Sequence, residues 1–357
     1  MRLSALLREV GRNIATGTTR LAVLAAALAT IVSVLVVADA NAITQEVRAS
    51  QEFRAAGAAT LTLVAEGRID GAACQGLNSI PGVLAAGALR QSSGKVVFTL
   101  LPDAPVPTFE VTPRFSALFG ARDAVGAGIF VSREVADALR TSPGDIVNTA
   151  QGDTRVSSVF DYPADGRRQG FGYSALIPAN AHETYDECWV EAWPALSNLG
   201  PVLFTALEPG STDVKHPPTL SQLNSSLGER YDGYTLFVSR ITRGALPLAL
   251  LSAFALGYTS VRSRRIHMAS ALHVGLNRAD VLLMALLETL SWAVPGAAIA
   301  AAVAVIAASG SPANDTHSVL LNVASIPLAA VPGACMGALL AGLLAKESHL
   351  FRYFKDR

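Results

Sequence analysis

Charged side chains are scarce in this chain: Asp, Glu, Lys and Arg make up 16% of its 357 residues, against 51% apolar residues. That balance is too greasy for one soluble domain and too polar for a chain wholly inside a bilayer. Net charge is zero, with 28 basic and 28 acidic residues, so the field of a nucleic-acid binder is lacking. The three cysteines form no Cys-x-x-Cys, and His182, His216, His267, His273 and His317 form no His-x-x-x-His, so no metal site is expected. A phosphate loop is missing too: Gly94-Lys95 is followed by Val96 where Ser or Thr is needed, and Leu89 stands in place of the first glycine. Ser132 and Ser174 have no Gly-x-Ser-x-Gly setting and no carboxylate pair stands out, which argues against catalysis and against a cofactor of the chain's own.

What is present is apolar and clumped. Four runs, Leu21 to Val37, Gly244 to Val261, Val281 to Ala308 and Ser318 to Ala345, approach or exceed the roughly 20 residues that cross a bilayer as a helix. Between the first and second lies a stretch of ordinary globular composition. The expected fold is therefore four transmembrane α-helices with a large α+β extracytoplasmic domain inserted between helices 1 and 2. Arginines set the orientation. Arg2, Arg8, Arg12 and Arg20 precede the first run, Arg262, Arg264, Arg265 and Arg278 separate the second from the third, and Lys346, Arg352, Lys355 and Arg357 follow the fourth. The loop between the third and fourth, 309–317, has no Lys or Arg. Lys and Arg resist translocation, so both termini and the 263–280 loop belong in the cytoplasm of a multi-pass cell-membrane protein, and the insert belongs outside. Arg240 and Arg243 run against this trend, as large translocated domains allow.

Boundaries follow: an amphipathic interfacial helix over 1–18, spans over 19–40, 244–262, 281–308 and 318–345, a stalk and outer domain over 41–240, and a cytoplasmic tail over 346–357. Leu3, Leu6, Leu7, Val10 and Ile14 form the apolar stripe of the first helix. A rival reading makes the N-terminus a secretory signal cleaved near Val37 to Ala42, but its basic region and apolar core are long for one. After the first span the chain stays free of Gly and Pro to Ala56, so the helix should continue as a stalk to Gly57. Strands are expected at 59–65, 83–89, 95–101, 128–131, 146–147, 155–160, 172–177, 188–192, 202–206 and 234–239, and helices at 70–77, 132–139 with Ser132 as N-cap, and 218–227. The proline-rich 102–113 reads as a connection or an edge. This mixture lacks a strict βαβ rhythm and suggests an α+β insert, in one lobe or two.

The loop after the second span carries the most specific motifs. Val274-Gly275-Leu276-Asn277-Arg278 is followed by Leu286-Leu287-Glu288-Thr289 and Pro295-Gly296. These resemble the Leu-Gly-Ala-x-Arg-like turn and Leu-Leu-Glu-Ala-like step of the MacB/FtsX-type (type VII) ABC transporter permeases. The run from Gly128 to Val147 and the step Ile80-Pro81-Gly82-Val83 are similar to parts of that family's outer domain, and the four-span plan matches throughout. One departure is His267, near the place where the family often has an acidic residue.

The resemblance implies a non-catalytic subunit driven by a separate ATPase, which would hold the ATP and Mg. Residues 263–280 would be the coupling helix, with Arg264, Arg265, His267, His273, Gly275, Asn277 and Arg278 contacting that ATPase. Two ATPase subunits would pair with two permease chains, as a homo- or heterodimer, in contact with membrane lipid and no nucleic acid. Export or extraction of a hydrophobic or peptide-like substrate is the implied work. A mechanotransmission regulator of a cell-wall enzyme, a membrane-anchored sensor and a membrane-anchored extracytoplasmic enzyme are the alternatives.

Further residues stand out. Cys74 and Cys188 both fall outside the membrane on this topology, where disulfides persist, and are the expected bridge. Cys335 lies in the fourth span and reads as a packing residue. Glu288 is an acid within the third span, expected to face protein or water and to pair with an arginine. Asp39 sits at the outer end of the first span. Gly333 and Gly337 form a small-xxx-small step, open to intrachain packing or to a dimer seam.

Overall fold

The computed structural model describes residues 3–121, 125–209 and 216–345. The expected tail 346–357 and Arg2 lie outside them. The chain divides into two units, residues 1–49 with 233–357, and residues 50–232.

The first unit is helical. α1 (Leu3–Ala15) buries Leu6 and Val10 within the protein and leaves Leu7 exposed. Gly17 and Arg20, both at positive φ, turn the chain into α2 (Leu21–Ala55). At 1.5 Å per residue its 35 residues span about 52 Å, well beyond about 30 Å of hydrocarbon. The helix thus runs unbroken from span to stalk, because no Gly or Pro interrupts it. Among the described residues four helices are long and apolar enough to cross a membrane.

The remaining helices close the bundle. Numbered after three short helices of the second unit, they are α6 (Gly233–Ser239), α7 (Ala245–Arg262), α8 (Arg265–His273), α9 (Arg278–Ser309) and α10 (Thr316–Leu344). The core between α2, α7, α9 and α10 is built largely from Ala and Val around Trp292. Small residues decide the spacing. A Cβ added to Gly257 would lie 2.0 Å from the Ala334 carbonyl oxygen, and one added to Gly337 would lie 2.0 Å from that of Phe254. Gly333 likewise faces the Leu250 backbone, so the Gly333–Gly337 step packs against α7 within the chain. α6 corrects the strand expected at 234–239: the segment is helical and leads through a 3-10 turn, Ile241–Gly244, into α7.

Among the described residues the second unit is built on one mixed nine-stranded sheet. In chain order its elements are β1 (Thr60–Asp70), α3 (Gly71–Gly76), β2 (Val83–Gln91), β3 (Thr108–Val111), β4 (Ile129–Ser132), α4 (Arg133–Leu139), β5 (Ile146–Thr149), β6 (Gly152–Phe160), β7 (Ala175–Pro178), β8 (Thr184–Ala192), α5 (Leu199–Leu203) and β9 (Thr219–Gln222). The strand order is β5-β6-β4-β7-β3-β2-β8-β1-β9. β8 is central to one half, antiparallel to both β1 and β2, which sets Cys188 opposite Leu63 on one side and Ala88 on the other. Asp70 caps α3 by accepting from the Ala72 and Ala73 amides, and this helix carries Cys74 to Cys188, with which it forms a disulfide.

Several local expectations are overturned here. The helix expected at 218–227 is the edge strand β9, where the Thr62 and Ser221 hydroxyls share a hydrogen bond of 2.9 Å across the pair. The strand at 202–206 is instead the end of α5 and a 3-10 turn. No strand forms at 95–101, where only Val96 and Phe98 make isolated bridges. β3 lies inside the 102–113 stretch yet is interior, pairing with β2 and β7; its four residues fit between Pro107 and Pro113. Ser132 precedes α4 in extended conformation, but its Oγ accepts from the Ser174 amide instead of capping the helix. For β3, β9 and Ser132, pairing available in the sheet outweighs local propensity.

Candidate functional site

The loop between α7 and α9 is shaped by its own hydrogen bonds. α8 ends in a Schellman turn: the Leu276 amide donates to the Ala271 carbonyl at 3.1 Å and the Gly275 amide to that of Leu272 at 3.0 Å. This requires Gly275 at φ +93°, which an L side chain adopts only with strain. Asn277 then caps α9 by accepting from the Ala279 amide, and Asp280 in the first turn complements the helix dipole. Met268 faces inward onto a cluster with Val261, Val281 and Ala285, and Ala269 is also buried. His267, His273, Val274, Gly275, Asn277 and Arg278 are exposed; Arg265 is half-buried. Val274, 82% exposed, is an apolar residue that the sequence reading did not include in this surface.

Behind the exposed face lies a polar node. Glu288 is 4% exposed, one face inward in α9. Its Oε2 accepts from Arg264 Nη2, at the N-cap of α8, and its Oε1 accepts from Asn13 Nδ2 of α1 at 2.8 Å. Arg264 therefore does not join the exposed surface; it is turned inward by a carboxylate. A cavity of about 470 Å3 opens beside the node, lined by Glu9, Asn13, His267, Met268, Met284 and neighbouring residues of α1, α8 and α9. Asn13 was missed by sequence reasoning, since an amide on the flank of an amphipathic helix carries no signal of a partner 275 residues away.

At the far end of the spans a second set of polar ties appears. Asp39, 4% exposed, accepts from Arg240 Nε at 3.0 Å, and the Arg240 guanidinium carbon sits 3.9 Å from the Phe237 ring centroid. Arg240 Nη1 also donates to the Phe237 carbonyl. The Thr44 and Ser311 hydroxyls are 2.7 Å apart and Arg48 donates to the Gly310 carbonyl at 2.9 Å, tying α2 to the α9–α10 turn. Among the described residues no three His, Cys, Asp or Glu side chains gather as a metal site.

Helices long and apolar enough to cross a membrane, with a sheet domain spliced between the first two and a structured, exposed loop between the second and third, define a multi-pass membrane protein. Residues 244–347 match the model of the FtsX-like permease C-terminal domain, and a sheet-rich α+β domain lies between the first two candidate spans. Among solved structures it overlaps the periplasmic region of MacB from Actinobacillus actinomycetemcomitans at 10% identity and TM-score 0.31, over 43% of this chain and 84% of that one. A heavy metal efflux pump overlaps at 14% identity and TM-score 0.21, over 84% of this chain and 35% of that one. No curated protein matches the chain.

Proposed function

We propose that this chain is the membrane subunit of an ABC-type transporter, in which a separate ATPase grips the loop between α7 and α9 and drives movement of the outer domain. The observation that carries this reading is the α8 turn: a short helix closed by Gly275 and Asn277, with an exposed face of His267, His273, Val274 and Arg278, inside the segment that matches the permease domain. Such a rigid, mixed apolar and basic knob suits insertion into a groove on a soluble partner. The orientation follows: termini and α8 in the cytoplasm, residues 41–240 outside, where the Cys74–Cys188 disulfide is stable. The work is export or extraction of a hydrophobic or peptide-like substrate, by two permease chains and two ATPase subunits.

A second reading, mechanotransmission to an extracytoplasmic enzyme, is favoured by one feature. α2 is a single helix from Leu21 to Ala55, so displacement at the membrane is carried into the stalk without a joint. The two readings share the ATPase contact. The test is co-purification with ATPases encoded beside the chain, followed by Arg278→Glu. ATPase stimulation should be lost while the disulfide-bonded domain stays folded; retention of full stimulation overturns the docking face.

A further inference from the structure

Glu288 is buried in α9 at the level where α1 and α8 both approach, and it bonds one residue from each. A carboxylate out of water is costly unless its oxygens are occupied, and removal of one partner leaves the other group exposed to that cost. The two oxygens here have separate owners: Arg264 starts α8, and Asn13 lies in the last turn of α1. Beside them the cavity of about 470 Å3 leaves α1 and α8 without close packing on that side, so there is room for either helix to shift. Close-packed interiors have no such slack.

We propose that Glu288 is a positioning residue that fixes the pose of α8 against α1 and α9, so that force applied to the exposed α8 face reaches the membrane helices as one rigid movement. The consequence for coupling rests on the permease reading given above; the positioning itself does not. Arg264 transmits the load from α8, Glu288 receives it in α9, and Asn13 shares it with α1. With the carboxylate removed, α8 moves into the cavity before α9 does, and the stroke of the partner is lost in the gap.

The test uses the full chain in lipid nanodiscs with Cys335→Ala and spin labels at Arg8→Cys and Val274→Cys, both exposed positions. Pulsed electron resonance then reads the distance between α1 and the end of α8. The expected result is one narrow distance for the parent, and a broadened distribution with a second distance in Glu288→Gln. Glu288→Asp, which keeps the charge, restores a single peak. Asn13→Ala, a gentler change in a half-buried amide, broadens the same distance and guards against misfolding of the Glu288 variants. If Glu288→Gln and Asn13→Ala both leave the distribution unchanged, the proposal is overturned, even where thermal unfolding shows lost stability. With a co-purified ATPase present, Glu288→Gln should lower stimulation roughly 2- to 30-fold at unchanged KM for ATP. Broadened distances with undiminished stimulation uphold the positioning role and overturn the coupling reading instead.

Discussion

The two units of this chain solve the same problem, holding secondary structure together, with opposite materials. In the helical unit the contacts are made by what is small: Ala249, Ala253, Ala300, Ala304 and Ala330 fill the core, and Gly257, Gly333 and Gly337 let backbones meet. In the sheet unit they are made by what is large. Phe109, Phe115, Phe119, Phe160, Phe171 and Trp189 interlock in one aromatic cluster, and a disulfide staples α3 to β8. The difference reflects solvent. In water, burial of large apolar area drives packing; between helices in lipid the tails are as apolar as leucine, and close approach through dispersion is what remains.

Polar groups differ in the same sense. In the sheet unit ion pairs are many and partly exposed, such as Arg133 with Asp161 and Arg90 with Glu110 and Glu183. Among the described residues of the helical unit two pairs are buried, Glu288 with Arg264 and Asp39 with Arg240, while Arg12 with Glu9 on α1 is exposed. A surface pair adds little, whereas a buried pair that loses one partner costs far more.

The comparison is broken most sharply by removing the staple. Cys74→Ser with Cys188→Ser opens a loop of 114 residues, and the chain-entropy model expects a loss of about 5 kcal/mol from the sheet unit. Tryptophan fluorescence during denaturant unfolding of the full chain in detergent measures it, and an unchanged midpoint contradicts the assignment. Next, Arg240→Met leaves Asp39 buried without its cation, for a loss of about 3 kcal/mol in the helical unit. Restoration by the double change with Asp39→Leu, seen in thermal melting, distinguishes an unpaired charge from lost packing. Then Gly337→Val forces a side chain onto the Phe254 carbonyl and should cost about 1 to 3 kcal/mol, whereas Gly94→Ala, where a Cβ meets nothing within 4 Å, should cost far less.

How much of this was legible in the sequence follows the same division. The membrane helices were readable because length and apolarity act over twenty residues at a time, and arginine placement punctuates them. The disulfide was readable from two cysteines on the same side of the predicted topology. Short segments of the insert were not. Residues 219–222 and 233–239 become strand and helix by what lies beside them, β1 for the former and the approach to α7 for the latter, and neither partner is visible locally. In the candidate site, Gly275, Asn277 and Arg278 stood out through their resemblance to the Leu-Gly-Ala-x-Arg-like turn of the MacB/FtsX-type permeases. Asn13 and Arg240 did not, since each is defined only by a buried carboxylate far along the chain.

The smallest expected effect concerns acid. In the sheet unit the Arg133 guanidinium, hydrogen-bonded to Asp161, holds that carboxyl below the ordinary aspartate range, and Arg167 does the same to Asp165. Since both are depressed in the folded state, their stabilisation is present above the unfolded aspartate value, about 4, and is lost as pH falls through that value toward the folded one. Asp161 is largely exposed, so solvent screens its pair. Asp165 is less so, and its pair also holds Arg167 against the Ala55 carbonyl; it is worth up to about 1 kcal/mol. Unfolding of the sheet unit should therefore be nearly flat in pH from neutrality to about 5 and should ease below about 4. Asp165→Asn should flatten part of that acid slope with little effect at pH 7 beyond the pair itself. Should the slope survive both Asp161→Asn and Asp165→Asn unchanged, these arginine pairs are not its source.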